Sequence, residues 1–302
     1  MLLDTASLYF RAFHGVPETV TAPDGTPVNA VRGLLDFITR LVREYPPGRL
    51  VACMDADWRP AWRVAAVPSY KAHRLSPAGG ETVPSALVPQ VPVIEAVLDA
   101  VGLARLGVAH YEADDVIGTL ASAATGPVDI VTGDRDLFQL VRDELPVRVL
   151  YTAQGVGKLT VVDEAEVARR YGIPGRSYAD FALLRGDPSD GLPGVAGIGE
   201  KTAAALVTRF GSIGGIRSAL TDGGDTGFPA GARARLVAAS DYLGAAEAVV
   251  RVAADVPVTP LADALPAAPK DPAALVELSR HWGLDSPLNR LLTVLAAQAT
   301  EL

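Results

Sequence analysis

Three carboxylates fall within four residues at Glu112, Asp114 and Asp115, just where an apolar helical pattern begins with Val116, Ile117 and Leu120. Like charges this close repel unless a cation lies between them. The stretch therefore reads either as part of a divalent-ion site or as a solvated helix start whose acids meet the positive end of the helix dipole. Dipole and capping account for one or two such acids more easily than for three. Further acids repeat one placement: Asp4, Asp55 and Asp134 each stand just past a short apolar run, at 1–3, 50–54 and 128–132, and Asp136 follows two residues later. In an α/β sheet the carboxyl end of a strand is the edge at which ligands bind, so these acids point to one shared pocket.

Two other stretches carry chemistry of a different sign. Between 57 and 80, basic and aromatic residues interleave as Trp58, Arg59, Trp62, Arg63, Tyr70, Lys71, His73 and Arg74, a mixture that favours clamping phosphates and stacking bases over the alternative of an exposed solvated loop. Glycines at 194, 197 and 199, with Lys201 and Thr202, precede the helical pattern of 203–210. That arrangement frees backbone N–H groups at a helix start, as in a phosphate-binding hairpin. It is not a nucleotide P-loop, because the glycine-to-lysine spacing is wrong and no apolar strand precedes it.

The elements that must position these groups alternate. Strands at 50–54, 103–108, 128–132, 149–151 and 159–162 are interspersed with amphipathic helices at 28–44 and 85–101 and with the helix of the acidic stretch. Beyond 163 the pattern turns helical, at 163–171, 178–184, 203–210, 228–252, 272–282 and 287–298, with a Pro/Ala-rich connector at 256–269. We expect an α/β fold with a mostly parallel central sheet flanked by helices over 1–162, and a helical region over 163–302. Of 302 residues, 49% are apolar and 21% charged, which describes an ordinary globule. The net charge of −8 argues weakly against a nucleic-acid partner unless many of the acids are gathered in one pocket. The single cysteine, Cys53, excludes an internal disulfide and a cysteine-based zinc site, and its apolar neighbours make it a core residue. His14, His73, His110 and His281 have no ligand spacing. Nothing in the sequence resembles an export signal or a membrane span, so a cytoplasmic location is expected.

Taken together, Asp4, Asp55, Tyr70-Lys71 with Arg74, Glu112-Ala113-Asp114-Asp115, Thr132-Gly133-Asp134-Arg135-Asp136, Gly186-Asp187 with Asp190, and Gly197-Ile198-Gly199-Glu200-Lys201-Thr202 resemble, in order over about residues 1–285, the bacterial 5′-nuclease or flap endonuclease family. The resemblance implies a PIN-like core with a flexible basic arch at about 57–82, and a helix-hairpin-helix-type motif at about 186–210 that supplies Asp187 and Asp190 to the active site. It implies two divalent metal ions, magnesium or manganese. Asp4, Asp55, Glu112, Asp114 and Asp115 would hold one ion, with Asp134, Asp136, Asp187 and Asp190 around the other.

The same resemblance makes Lys71 and Arg74 catalytic alongside Asp115, and gives DNA contacts to Arg63, Tyr70, Lys71, Arg74, Gly197, Gly199, Lys201 and Thr202, with a potassium ion at the hairpin. The implied partner is DNA bearing 5′ flaps, nicks or 5′ ends, handled by a monomer that resembles the 5′-nuclease domain of bacterial DNA polymerases in stand-alone form. The negative surplus is then in large part the metal pocket itself. Two other readings stay open, a branched-DNA-binding protein with vestigial catalysis and an RNA-directed nuclease.

Overall fold

The computed structural model describes residues 1–222 and 227–301. Six short strands form one sheet: β1 (Leu2–Asp4), β2 (Val51–Cys53), β3 (Ala104–Leu106), β4 (Val128–Thr132), β5 (Val147–Tyr151) and β6 (Thr160–Val162). Their order is β3-β2-β1-β4-β5-β6, parallel throughout except for β6, which runs antiparallel along β5. The inner strands are apolar on both faces because helices cover both, as parallel sheets require. Alternation along each strand sorts the side chains. Leu2, Val51, Cys53 and Ile130 enter one apolar cluster, while their neighbours Leu3, Ala52 and Val131 enter the other.

Helices α1 (Thr5–Gly15), α2 (Asn29–Glu44), α3 (Ala61–Ala66), α4 (Gln90–Val101) and α5 (Ala113–Ala123) connect the strands. Then follow α6 (Glu164–Tyr171), α7 (Tyr178–Arg185), α8 (Glu200–Phe210), α9 (Ile213–Thr221), α10 (Ala232–Ala238), α11 (Ser240–Val250), α12 (Pro272–Trp282) and α13 (Asp285–Glu301). The cluster beneath α5 continues without interruption into the helical region, through Tyr178, Phe181, Leu206 and Ile213. The opposite cluster is closed by α12 and α13, which return to α4 and α2, with Leu284, Leu288, Leu291 and Leu295 buried and Arg290 paired to Asp36 at 2.6 Å.

Several boundaries differ from the sequence reading, each for a local reason. The 85–101 pattern becomes helical only from Gln90, because Pro84 and Pro89 hold the preceding residues in turns. The stretch after Asp136 is a single tight turn of helix, and the 228–252 pattern divides at Ala239 into α10 and α11. The basic segment is itself structured. It carries α3, a turn at Ala72–Arg74 and a closed loop in which Ser76 N–H donates to the Gly80 carbonyl at 2.7 Å and Thr82 N–H to Arg74 at 2.8 Å.

The closure by α13 has a measurable consequence. Leu291 is fully buried against the α2 side of the sheet, so Leu291→Ala lowers the unfolding free energy by about 2–5 kcal/mol. A urea transition unchanged from the parent would contradict this packing.

Candidate active site

Because β1, β2 and β4 lie side by side and run in the same direction, their carboxyl ends bring Asp4, Asp55 and Asp134 to one edge from positions far apart in sequence. Each acid is fixed by hydrogen bonds from its own or a neighbouring loop. Asp4 caps α1 by accepting from Ser7 N–H at 3.1 Å, and its other oxygen accepts from Thr132 Oγ1 at 2.6 Å. Asp55 accepts from Ala113 N–H at 2.7 Å, which joins the end of β2 to the head of α5. Asp134 N–H donates to Thr132 Oγ1 at 2.8 Å, and Asp136 N–H to Asp134 Oδ1 at 2.9 Å.

These acids border a cleft of about 450 Å³, lined by Asp4, Asp55, Asp114 and Asp134 and rimmed by Lys71 and Arg74. Burial comes first in raising the proton affinity of Asp4, Asp114, Asp134 and Asp136, and neighbouring acids add to it. Asp4 is pushed up to about 7 by burial and by Asp55. Asp114 rises well above the carboxylate range through burial, Asp4 and Asp134, and Asp136 does so through burial, Asp134 and Asp190. A carboxyl whose folded value lies above its unfolded one takes stability away as pH rises through that interval, so near neutrality these charges strain the fold. Asp114 has no hydrogen-bond partner among the described residues, and Asp136 Oδ1 is buried without one. Hard oxygen donors that repel one another and lack partners fit a divalent cation. Among the described residues no three such groups close tightly enough to enclose an ion as they stand.

The remaining predicted acids are held by the chain's own cations. Glu112 accepts from Arg63 Nη1 at 2.5 Å, from Tyr70 Oη at 2.6 Å and from Lys71 Nζ. Burial alone would depress the Lys71 ammonium, but Glu112, Asp190 and Asp114 around it push it up instead. Asp187 accepts from Ser189 N–H at 2.9 Å and faces Arg185 at 3.3 Å, while Asp190 meets Arg74 at 3.1 Å. The 187–191 turn also fixes the basic segment, because Lys71 N–H donates to the Asp190 carbonyl at 2.9 Å and Lys71 adopts a left-handed backbone at φ 47°.

Three expectations change here. Asp115, expected as a metal ligand and catalytic residue, is 0% exposed, and both its oxygens are taken: Oδ1 by Arg63 and by Ala253 N–H at 2.8 Å, Oδ2 by Arg63 and by Glu112 N–H at 3.1 Å. It closes the head of α5 as a capping residue and does not line the cleft. Arg63, expected on an exposed arch against DNA, is 2% exposed and pairs with these acids. Tyr70, expected to stack on a base, is buried with its hydroxyl on Glu112.

The glycine hairpin joins α7 to α8, with Gly199 directly before α8 and Lys201 exposed in its first turn. Gly197 takes φ +76°, and its carbonyl accepts from Arg235 Nη1 at 2.9 Å, while Thr202 is half-buried. Sequence reasoning missed Ser7, Phe10, Glu81 and Arg135 in the cleft wall. Arg135 was legible from its place between Asp134 and Asp136, whereas Glu81 reaches the cleft only because the basic segment folds back.

Repulsion among unpartnered acids predicts the sign of a substitution. Asp114→Asn stabilises the chelator-treated protein near neutral pH by about 1 kcal/mol, in the manner of functional acids removed from crowded sites. Thermal melting with chelator checks this, and a lowered melting temperature would contradict it.

Comparison with known proteins agrees with this geometry. The family described as "5′-3′ exonuclease, N-terminal resolvase-like domain" matches residues 1–172, and "5′-3′ exonuclease, C-terminal SAM fold" matches residues 173–273. A 5′-3′ exonuclease of Streptomyces coelicolor is 64% identical over 302 residues, spanning 98% of this chain and 100% of that protein. Another from Mycobacterium tuberculosis is 51% identical over 305 residues, spanning 96% of each. Among solved structures, T5 5′-exonuclease with bound zinc gives a TM-score of 0.63 at 16% identity, over 99% of this chain and 98% of that one. Flap endonuclease-1 from Methanococcus jannaschii gives 0.61 at 15%, over 100% and 92%. At those identities the likeness to the solved structures is one of fold. With both family descriptions matched in order and close relatives spanning nearly its whole length, the chain belongs to the 5′-3′ exonuclease family.

Proposed function

We propose that this chain is a metal-dependent, structure-selective DNA nuclease that hydrolyses phosphodiester bonds from 5′ ends and at the base of 5′ flaps, in replication and repair. The observation that carries the reading is the acid-lined cleft at the carboxyl edge of the sheet, with Lys71 and Arg74 on its rim. The naming of its relatives as 5′-3′ exonucleases supports it.

Asp4, Asp55, Asp114, Asp134 and Asp136 are the side chains that would hold divalent ions, with Glu112, Asp187 and Asp190 beside them. Two such ions, magnesium or manganese, supply an activated water and charge neutralisation at phosphorus, so no histidine base or protein nucleophile is needed. The chain's own groups do the rest. Lys71, whose ammonium rests on Glu112 at the cleft wall, offers positive charge to a scissile phosphate, and Arg74 holds a neighbouring phosphate from the same rim. Gly197, Gly199, Lys201 and Thr202 would grip the duplex away from the cut through backbone N–H groups and one exposed ammonium, with a potassium ion as an additional bridge. Asp115 serves as an anchor for α5 and not as a ligand. No helix among the described residues is long and apolar enough to cross a membrane, and we take the working form to be a cytoplasmic monomer.

End-labelled 5′-flap and nicked duplexes, incubated with the pure protein and magnesium or manganese, test the proposal. Short products from the 5′ side, abolished by chelator, are expected, and the ratio of rates on the two substrates separates exonuclease from flap cleavage. Tight binding of branched DNA with no cleavage under either metal would instead favour the DNA-binding reading. A preference for single-stranded RNA would contradict the duplex-DNA assignment.

A further inference from the structure

Arg63 sits where the sequence suggests a DNA contact, yet no phosphate can reach it. Its guanidinium is buried under the Trp62 ring, 4.3 Å from the ring centroid, and its fork spans two carboxylates. Nη1 donates to Glu112 at 2.5 Å and to Asp115 at 2.8 Å, and Nη2 to Asp115 at 2.6 Å and to the Arg251 carbonyl at 3.3 Å. Three parts of the chain meet at this one side chain: α3 at the foot of the basic segment, the head of α5, and the strap after α11. Asp115 extends the junction by accepting from Ala253 N–H, and Thr119 holds the strap further on through the Ala253 carbonyl at 3.3 Å and Val256 N–H at 3.1 Å.

We propose that Arg63 is a positioning residue: it fixes the Glu112 carboxylate beside Lys71 and ties the basic segment and the helical region's strap to the acids at the head of α5. The proposal rests on the nuclease reading above for its catalytic consequence, but not for its structural one. Only a guanidinium can serve both acids at once, because its planar fork matches two carboxylates where an ammonium is a single point of charge. Its removal leaves two buried carboxylates with one fewer cation between them, so Glu112 loses its place and Lys71 loses its seat. An exposed arch arginine that touches DNA would instead act through affinity.

Arg63→Gln and Arg63→Lys, the latter kept in case the former does not fold, distinguish these roles. For a positioning residue, single-turnover cleavage of a 5′-flap duplex at saturating DNA falls by about 100-fold, while DNA affinity measured in chelator shifts by less than about threefold. On a Glu112→Gln background the same substitution costs no more than about threefold further, since both act through one carboxylate. Amide hydrogen exchange gives a readout free of activity: the Glu112 and Ala253 amides exchange at least about tenfold faster, and those of 198–203 do not change. Weakened DNA binding with the saturated rate retained, fully multiplicative losses in the double variant, or unaltered protection at Ala253 would each overturn the proposal. If the parent protein cleaves nothing, the nuclease reading fails, and the exchange experiment still decides the role of Arg63.

Discussion

Mutual repulsion among acids gathered at one sheet edge is the constraint that the rest of this structure answers. A parallel sheet places the ends of β1, β2 and β4 within one cleft, and that topology sets Asp4, Asp55 and Asp134 near one another whatever their charge. The fold tolerates the crowding by dividing the acids. Glu112, Asp115, Asp187 and Asp190 receive internal cations from Arg63, Lys71, Arg185 and Arg74. Asp114 and Asp136 receive none among the described residues, and these are among the acids we propose to hold the divalent ions. Stability lost there is compensated elsewhere, in two apolar clusters that sandwich the sheet and in α12 and α13, which close one of them.

The same division explains why the basic segment and the helical region matter beyond any contact with substrate. Lys71 and Arg63 reach the acids only because the segment is anchored at both ends, by Asp190 on one side and by the head of α5 on the other. The 187–191 turn and the 251–253 strap both belong to the helical half of the chain. The site is therefore assembled from two halves that share one apolar cluster, and neither half alone carries all of its charges.

Much of this was legible in the sequence. The strand-then-acid repeat at Asp4, Asp55 and Asp134 located the cleft, since strand ends in a parallel sheet converge by rule. The order of the motifs located the family. What could not be read was how charge is partitioned within the acidic stretch. Asp114 and Asp115 are adjacent and chemically alike, but they differ by one helical step of about 100°, which turns one toward the cleft and the other into the core. Nor does a basic residue in a basic segment announce whether it faces a phosphate or a buried carboxylate. Arg63 differs from Arg74 only through tertiary contacts made by residues 49 to 188 positions away. The split of the 228–252 pattern at Ala239 was hidden because alanine favours the helix and marks no boundary.

Manganese binding followed by electron paramagnetic resonance, without DNA and in parallel for the parent protein and Asp136→Asn, decides whether the unpartnered acids hold a divalent ion. If the unpartnered acids are what hold the ion, the parent binds manganese in the absence of substrate, and Asp136→Asn, which alters the acid bearing the orphaned buried oxygen, binds it at least about tenfold more weakly while melting at no lower a temperature. A parent protein that leaves manganese free in solution, or a variant that binds it as tightly as the parent, would contradict the account.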